Sequence, residues 1–161
     1  MASLRRTTAY TDALNLIFGR RLLVRDGISE ARLTRAEKRL RFSLPSAVRE
    51  FYSLAGAAGE CREHNHLYWP EDLTVEDERL VFMSENQGVV DWAVSLRPRP
   101  KADPEVWQRV SEDDAPWHSE EMTFSVFILK NLAWQRGVEL SNKRMQLTRS
   151  ALANGRRGPR S

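Results

Sequence analysis

The chain has 161 residues, 41% apolar and 29% charged, enough for one domain with a real core and too few for two. Its net charge of +3 hides a strong asymmetry: residues 1–59 carry 11 basic and 5 acidic groups, residues 60–121 carry 6 and 16, and residues 141–161 carry six basic groups and no acid. No apolar run approaches the roughly 20 residues that cross a bilayer. Arg5 and Arg6 have no apolar stretch behind them, and the lone Cys61 cannot close an internal disulfide, so a cytoplasmic protein without a secretory signal is expected.

Tyr10, Ala13, Leu14, Ile17 and Phe18 recur at three- and four-residue spacing, which predicts a helix over 8–18 closed by Gly19. Ser29 is a good N-cap for a second helix, with Glu30 at its positive end and Leu33, Ala36 and Leu40 on the core side. Pro45 suits the first turn of a third helix with Val48, Phe51, Tyr52 and Ala55 on its apolar stripe and Gly56 as its stop. A short aromatic segment, His66–Trp69, ends at Pro70, and residues 72–78 read as an acidic connector. Arg79–Met83 and Val89–Val94 are strand formers around an Asn86–Gln87–Gly88 turn, an antiparallel pair. Pro98 and Pro100 force a loop, Glu105–Val110 is a third strand and 111–116 an acidic turn. Ser119 reads as the cap of a closing helix, with Glu120 and Glu121 in its first turn, Phe124, Phe127, Ile128 and Leu132 on one face, and Met122, Leu129 and Trp134 widening the apolar surface. The expected fold class is α+β: N-terminal helices, a small central antiparallel sheet and a C-terminal helix in a single domain over 1–140. Residues 141–161 are expected to be a basic disordered tail.

Several segments together resemble the SUKH superfamily, the Smi/Knr-type domain. They are Ala36–Leu40, Leu44–Pro45, Arg49–Tyr52 and Gly56, followed by Leu67–Pro70, Leu80–Phe82, Glu85–Val89, Trp92–Val94 and Asp103–Val106. The resemblance covers residues 28–134. It implies a protein-binding role without shared catalytic residues. Bacterial members are typically immunity proteins that neutralise a partner toxin, often a nuclease, and eukaryotic members are regulatory scaffolds. Where the pattern usually has a glycine after the first signature, this chain has Arg41.

Cys61, His64 and His66 lie close in sequence, but three ligands without a second cysteine fall short of a zinc site. No Gly-x-Ser-x-Gly elbow or phosphate-binding loop occurs, so neither an enzyme nor a metal or cofactor is expected. The acidic middle of the chain favours a basic protein partner, such as a basic toxin domain, through electrostatic steering. Candidate partner-binding residues are the aromatics Trp69 and Trp107, the acids Glu71, Asp72, Glu76, Asp77, Glu78, Asp113 and Asp114, and the turn residues Asn86 and Gln87. Trp117 lies in the same acidic surroundings, and Trp92, alternating with valines, is expected in the core. A regulatory scaffold is the alternative. Nucleic acid is expected at most through non-specific contact with the tail, because the basic excess of the whole chain resides there.

Overall fold

A computed structural model describes residues 2–141. Three helices, α1 (Ala2–Phe18), α2 (Glu30–Leu40) and α3 (Ser46–Ala55), precede six strands: β1 (His66–Leu67), β2 (Thr74–Glu76), β3 (Arg79–Ser84), β4 (Val90–Ser95), β5 (Glu105–Val110) and β6 (His118–Thr123). A fourth helix, α4 (Phe124–Gln135), follows the last strand, so the fold is α+β. The expected tail lies outside the described residues, apart from Ser141.

The strands form one antiparallel sheet in the order β1-β3-β4-β5-β6. β2 also pairs with β3, so β1 and β2 share one edge, with a 3-10 turn at Pro70–Asp72 between them. α4 lies on one face of this sheet: Phe124 packs edge-on against Phe82 at 5.1 Å between ring centroids, and Phe127 lies tilted against Trp92 at 5.7 Å. α1 and α3 cover α4 in turn, through Tyr10–Phe51 and Phe51–Phe124 ring contacts at 5.7 and 5.9 Å. The core therefore sits between sheet and helices, with Leu80, Phe82, Val94 and Val106 as its floor.

α2 and α3 follow their sequence signals. The Arg32 N–H donates to Ser29 Oγ at 3.4 Å, and Leu33, Ala36, Val48, Phe51, Tyr52 and Ala55 are buried. Pro45 stands one residue earlier than expected, at the N-cap of α3. α1 begins well before Thr8, because its first turns carry a polar lock instead of an apolar stripe: buried Arg6 pairs with Glu50 at 3.3 Å. Arg41 ends α2 in the left-handed region, φ 61°.

Three expectations are corrected. Ser119, Glu120 and Glu121 are not the start of a helix: they belong to β6, and the N-cap of α4 is Thr123. The Ser119 hydroxyl donates to Glu105 Oε1 across the β5–β6 pair at 2.6 Å, and Glu120 accepts from the Trp92 indole at 2.8 Å. Residues 72–78 are more than a connector, since 74–76 form β2 and Asp77–Glu78 turn the chain into β3, both with positive φ, the requirement of a two-residue type I′ hairpin. Trp134 widens no core; it is 68% exposed, with His64 against its ring at 5.5 Å.

Candidate functional site

Residues that pair directly across an antiparallel ladder point to the same face. Glu76↔Arg79↔Ser95 and Val81↔Ala93↔Trp107↔Ser119 therefore mark out the face of the sheet opposite α4. Val81 and Ala93 are fully buried without belonging to the main core, so something else covers them. That cover is a layer of tryptophan and arginine.

The Arg79 guanidinium lies 4.7 Å from the Trp107 ring centroid and 5.5 Å from that of Trp117. The Arg109 guanidinium lies 4.5 Å from the Trp117 ring centroid. Two carboxylates of the β2–β3 hairpin hold the layer in place. Glu76 accepts from Arg109, and Asp77 accepts from the Trp117 indole at 3.1 Å while standing 3.9 Å from Arg109. Arg109 is only 16% exposed through its side chain. The Nε groups of Arg79 and Arg109 and the indole N–H of Trp107 are buried without a hydrogen-bond partner. Cation–π contact replaces part of the lost hydration, worth about 0.5–2 kcal/mol per pair. Each of these partners comes from a strand or strand loop, and among the described residues α4, on the opposite face, is the helix that packs most on the strands.

The surround is acidic. Residues 74–123 contain 12 acidic and 5 basic groups, a net −7. Glu78 pairs with Arg97 at 2.9 Å at the hairpin tip. Asp113 and Asp114 are exposed in the β5–β6 loop that leads into Trp117. Asn86 and Gln87 are exposed at the β3–β4 turn, where Gly88 has φ +72° and the Gln87 N–H donates to Glu85 Oε2 at 2.8 Å. That turn shares an end of the sheet with the β5–β6 loop, since Val90 pairs with Val110 and the Ser111 N–H donates to the Val89 carbonyl at 2.9 Å.

Trp69 and Glu71 belong to a different place, on the helix side of the β1–β2 edge. The Arg62 guanidinium stacks 3.5 Å from the Trp69 centroid, and Arg32 lies 5.3 Å away while gripping Glu71 with two hydrogen bonds of 2.9 and 2.8 Å. Those bonds hold the Glu71 carboxyl down to about 2. Asp72 is exposed beside them. The candidate residues thus divide between two arginine–tryptophan–carboxylate clusters and one sheet end. Arg79 and Arg109, the cations that organise the open face, were absent from the sequence candidates. Their signal is period two: Arg109 follows Trp107 by two residues, and both point away from the core.

Cys61 is fully buried, its Sγ donating to the Ala55 carbonyl at 3.4 Å, and burial pushes its thiol up to about 12. It is therefore neither an exposed nucleophile nor a ready metal ligand. Among the described residues no three His, Cys, Asp or Glu side chains gather as a metal site, and no helix is long and apolar enough to cross a membrane. Comparison with known proteins returned no match among family models, curated proteins or solved structures.

Proposed function

We propose that this chain is a non-catalytic, SUKH-type binding module that neutralises a basic partner protein, in the manner of an immunity protein, by docking it on the open face of the sheet. One observation carries the reading: a sheet face that no described helix covers presents Trp107 against Arg79 and Trp117 in contact with both Arg79 and Arg109, rimmed by carboxylates. Tryptophan and arginine held rigidly before binding are the residue types that dominate interface energetics, since little side-chain entropy is left to lose. The acidic surround, net −7 over residues 74–123, attracts a basic surface and speeds its approach. Nuclease domains present such surfaces because they must hold phosphates.

The resemblance to the SUKH pattern adds to this. Its glycine position falls on Arg41, whose left-handed φ of 61° is the conformation a glycine adopts without strain. Docking over the open face would block a toxin by occlusion and calls for no reacting group.

The test is capture of a partner from native lysate with the full chain, followed by binding kinetics. The Trp117→Ala variant should bind the captured protein about 30-fold more weakly, the loss of one hot-spot side chain at about 2 kcal/mol. Reversing Glu112, Asp113 and Asp114 to lysine should slow association at low salt and leave dissociation nearly unchanged. A partner whose binding ignores both changes would move the interface elsewhere, and retention of nucleic acid alone would sink the protein-binding reading.

A further inference from the structure

The open face has a candidate occupant within the same chain. Residues 142–161 carry Lys143, Arg144, Arg149, Arg156, Arg157 and Arg160 and no acid. We propose that this basic segment docks on the acidic open face of its own chain and competes there with any other basic ligand. The inference rests on reading that face as a docking surface for basic groups.

Three observations support it. The first is charge: a segment of +6 is complementary to a sheet region of −7, and Glu105, Glu112, Asp113, Asp114 and Glu121 are exposed there. The second is position. The described chain leaves α4 next to β1, where the Asn65 N–H donates to Gln135 Oε1 at 3.0 Å and the Val138 N–H donates to the Ala133 carbonyl at 2.9 Å. His66 of β1 pairs with Ser84 at the end of β3 that leads into the β3–β4 turn, the same sheet end that carries Glu112–Asp114. The path from exit to acids therefore crosses from β1 to β5, roughly 15 Å at strand spacing, and rounds the sheet end from the α4 face to the opposite one, on the order of 10 Å more. The third is length: the residues from 142 to 161 extend to at most about 70 Å. A tethered ligand of this reach has an effective concentration on the order of millimolar, so contacts too weak to hold a free peptide suffice. The chemistry of the face already suits arginine, because Trp107 and Trp117 each carry a guanidinium on the ring.

The consequence is regulation by competition. A basic partner must displace the segment, so a strong partner binds and weakly basic proteins are turned away.

The experiment uses the full chain carrying Arg156→Lys and Arg157→Lys, which keep the charge and supply amines. Zero-length carbodiimide coupling followed by peptide mapping should join positions 156 and 157 to carboxylates at 76–78, 105 or 112–114. The yield should be independent of protein concentration and drop several-fold at about 0.5 M salt, where screening is short-ranged. Adding Glu112→Lys, Asp113→Lys and Asp114→Lys should remove most of the links. Links that form only between chains, links scattered over Asp12, Glu30 and other helix-side acids, or no links at low salt would each overturn the proposal. None of these readouts requires the partner protein. A failed capture with intact intrachain links would overturn the proposed function alone, and a captured partner without links would overturn this inference alone.

Discussion

Gly27 sits where a side chain has no room, since a Cβ there would stand 2.0 Å from the Ser53 carbonyl oxygen. The loop runs this close because the Ile28 N–H donates to the Tyr52 carbonyl at 2.9 Å and the Ala57 N–H to the Asp26 carbonyl at 2.8 Å. Gly27→Ala should therefore cost at least about 2 kcal/mol in denaturant unfolding, as overpacking against rigid backbone does. Arg20 seals the same loop with paired hydrogen bonds to Asp26, 2.8 and 3.0 Å, and to Glu60, 2.7 and 2.9 Å. Its guanidinium holds both carboxyls below their ordinary values of 3.8 and 4.5. A folded-state pKa below the unfolded one stabilises above the unfolded value, and the contribution disappears as pH falls through the folded one. Stability should therefore fall as pH drops below about 4.5, with Glu71 extending the decline toward 2. Arg20→Met should flatten that decline and cost about 1–3 kcal/mol at neutral pH, less than a fully buried pair because a third of Arg20 is exposed. Unfolding curves at pH 7, 4 and 3, values spanning the window expected from linkage, check both statements; an equally steep acid decline in the variant would show that other carboxylates carry it.

At the level of elements, the turns store strain that substitution can relieve. Asp77 and Glu78 both take positive φ, 47° and 60°, to close a two-residue hairpin, and Arg41 takes the same region at the end of α2. Glu78→Gly and Arg41→Gly should each raise stability by about 0.5–1 kcal/mol, since a non-glycine residue is disfavoured there; no gain at either site would mean that local contacts hold the backbone without cost. The elements that the sequence made legible are those with one strong period and one clear cap. α2 has both, α3 has the period and a glycine stop, and β3 and β4 are marked by their strand formers on either side of the Asn86–Gly88 turn. β6 looks like a helix start in the sequence because Ser119 followed by Glu120 and Glu121 is the pattern of a helix cap, whereas those side chains serve Glu105, Trp92 and a bulge with Glu121 at φ 55°. β2 leaves no signal in the sequence because Thr74, Val75 and Glu76 are all exposed on an edge, and no hydrophobic alternation marks such a strand. The start of α1 was invisible for a similar reason, as its anchor is an arginine. In the candidate site, the acids and tryptophans could be named from composition, but their division into two clusters depends on register, which a sequence alone leaves open.

For the whole molecule, helices on one face and polar aromatics on the other place the main core and the proposed docking surface on opposite sides of the sheet. Trp117→Ala should thus weaken partner binding without disturbing the core, while changes on the helix side should do the reverse. The long-range closure of the helix side is specific: Arg136 Nε donates to the Ile17 carbonyl at 3.1 Å and Arg136 also grips Glu63 at 2.5 Å. Arg136→Ala should raise amide hydrogen exchange in the last turns of α1 and leave β3–β5 protected, because the strands are secured by their own ladders; exchange rising equally throughout would show that the two layers open together. That same contact has a meaning during synthesis. Ile17 and Arg136 are 119 residues apart, so at about 5–20 residues per second the ribosome delivers the second roughly 6–24 s after the first. Throughout that interval Tyr10, Leu14 and Ile17, which end fully buried, lack the surface of α4, while each hairpin of the sheet can pair within a fraction of that time. The nascent chain therefore exposes the apolar face of α1 for longer than its strands stay unpaired, and α1 is the segment a ribosome-associated chaperone would cover.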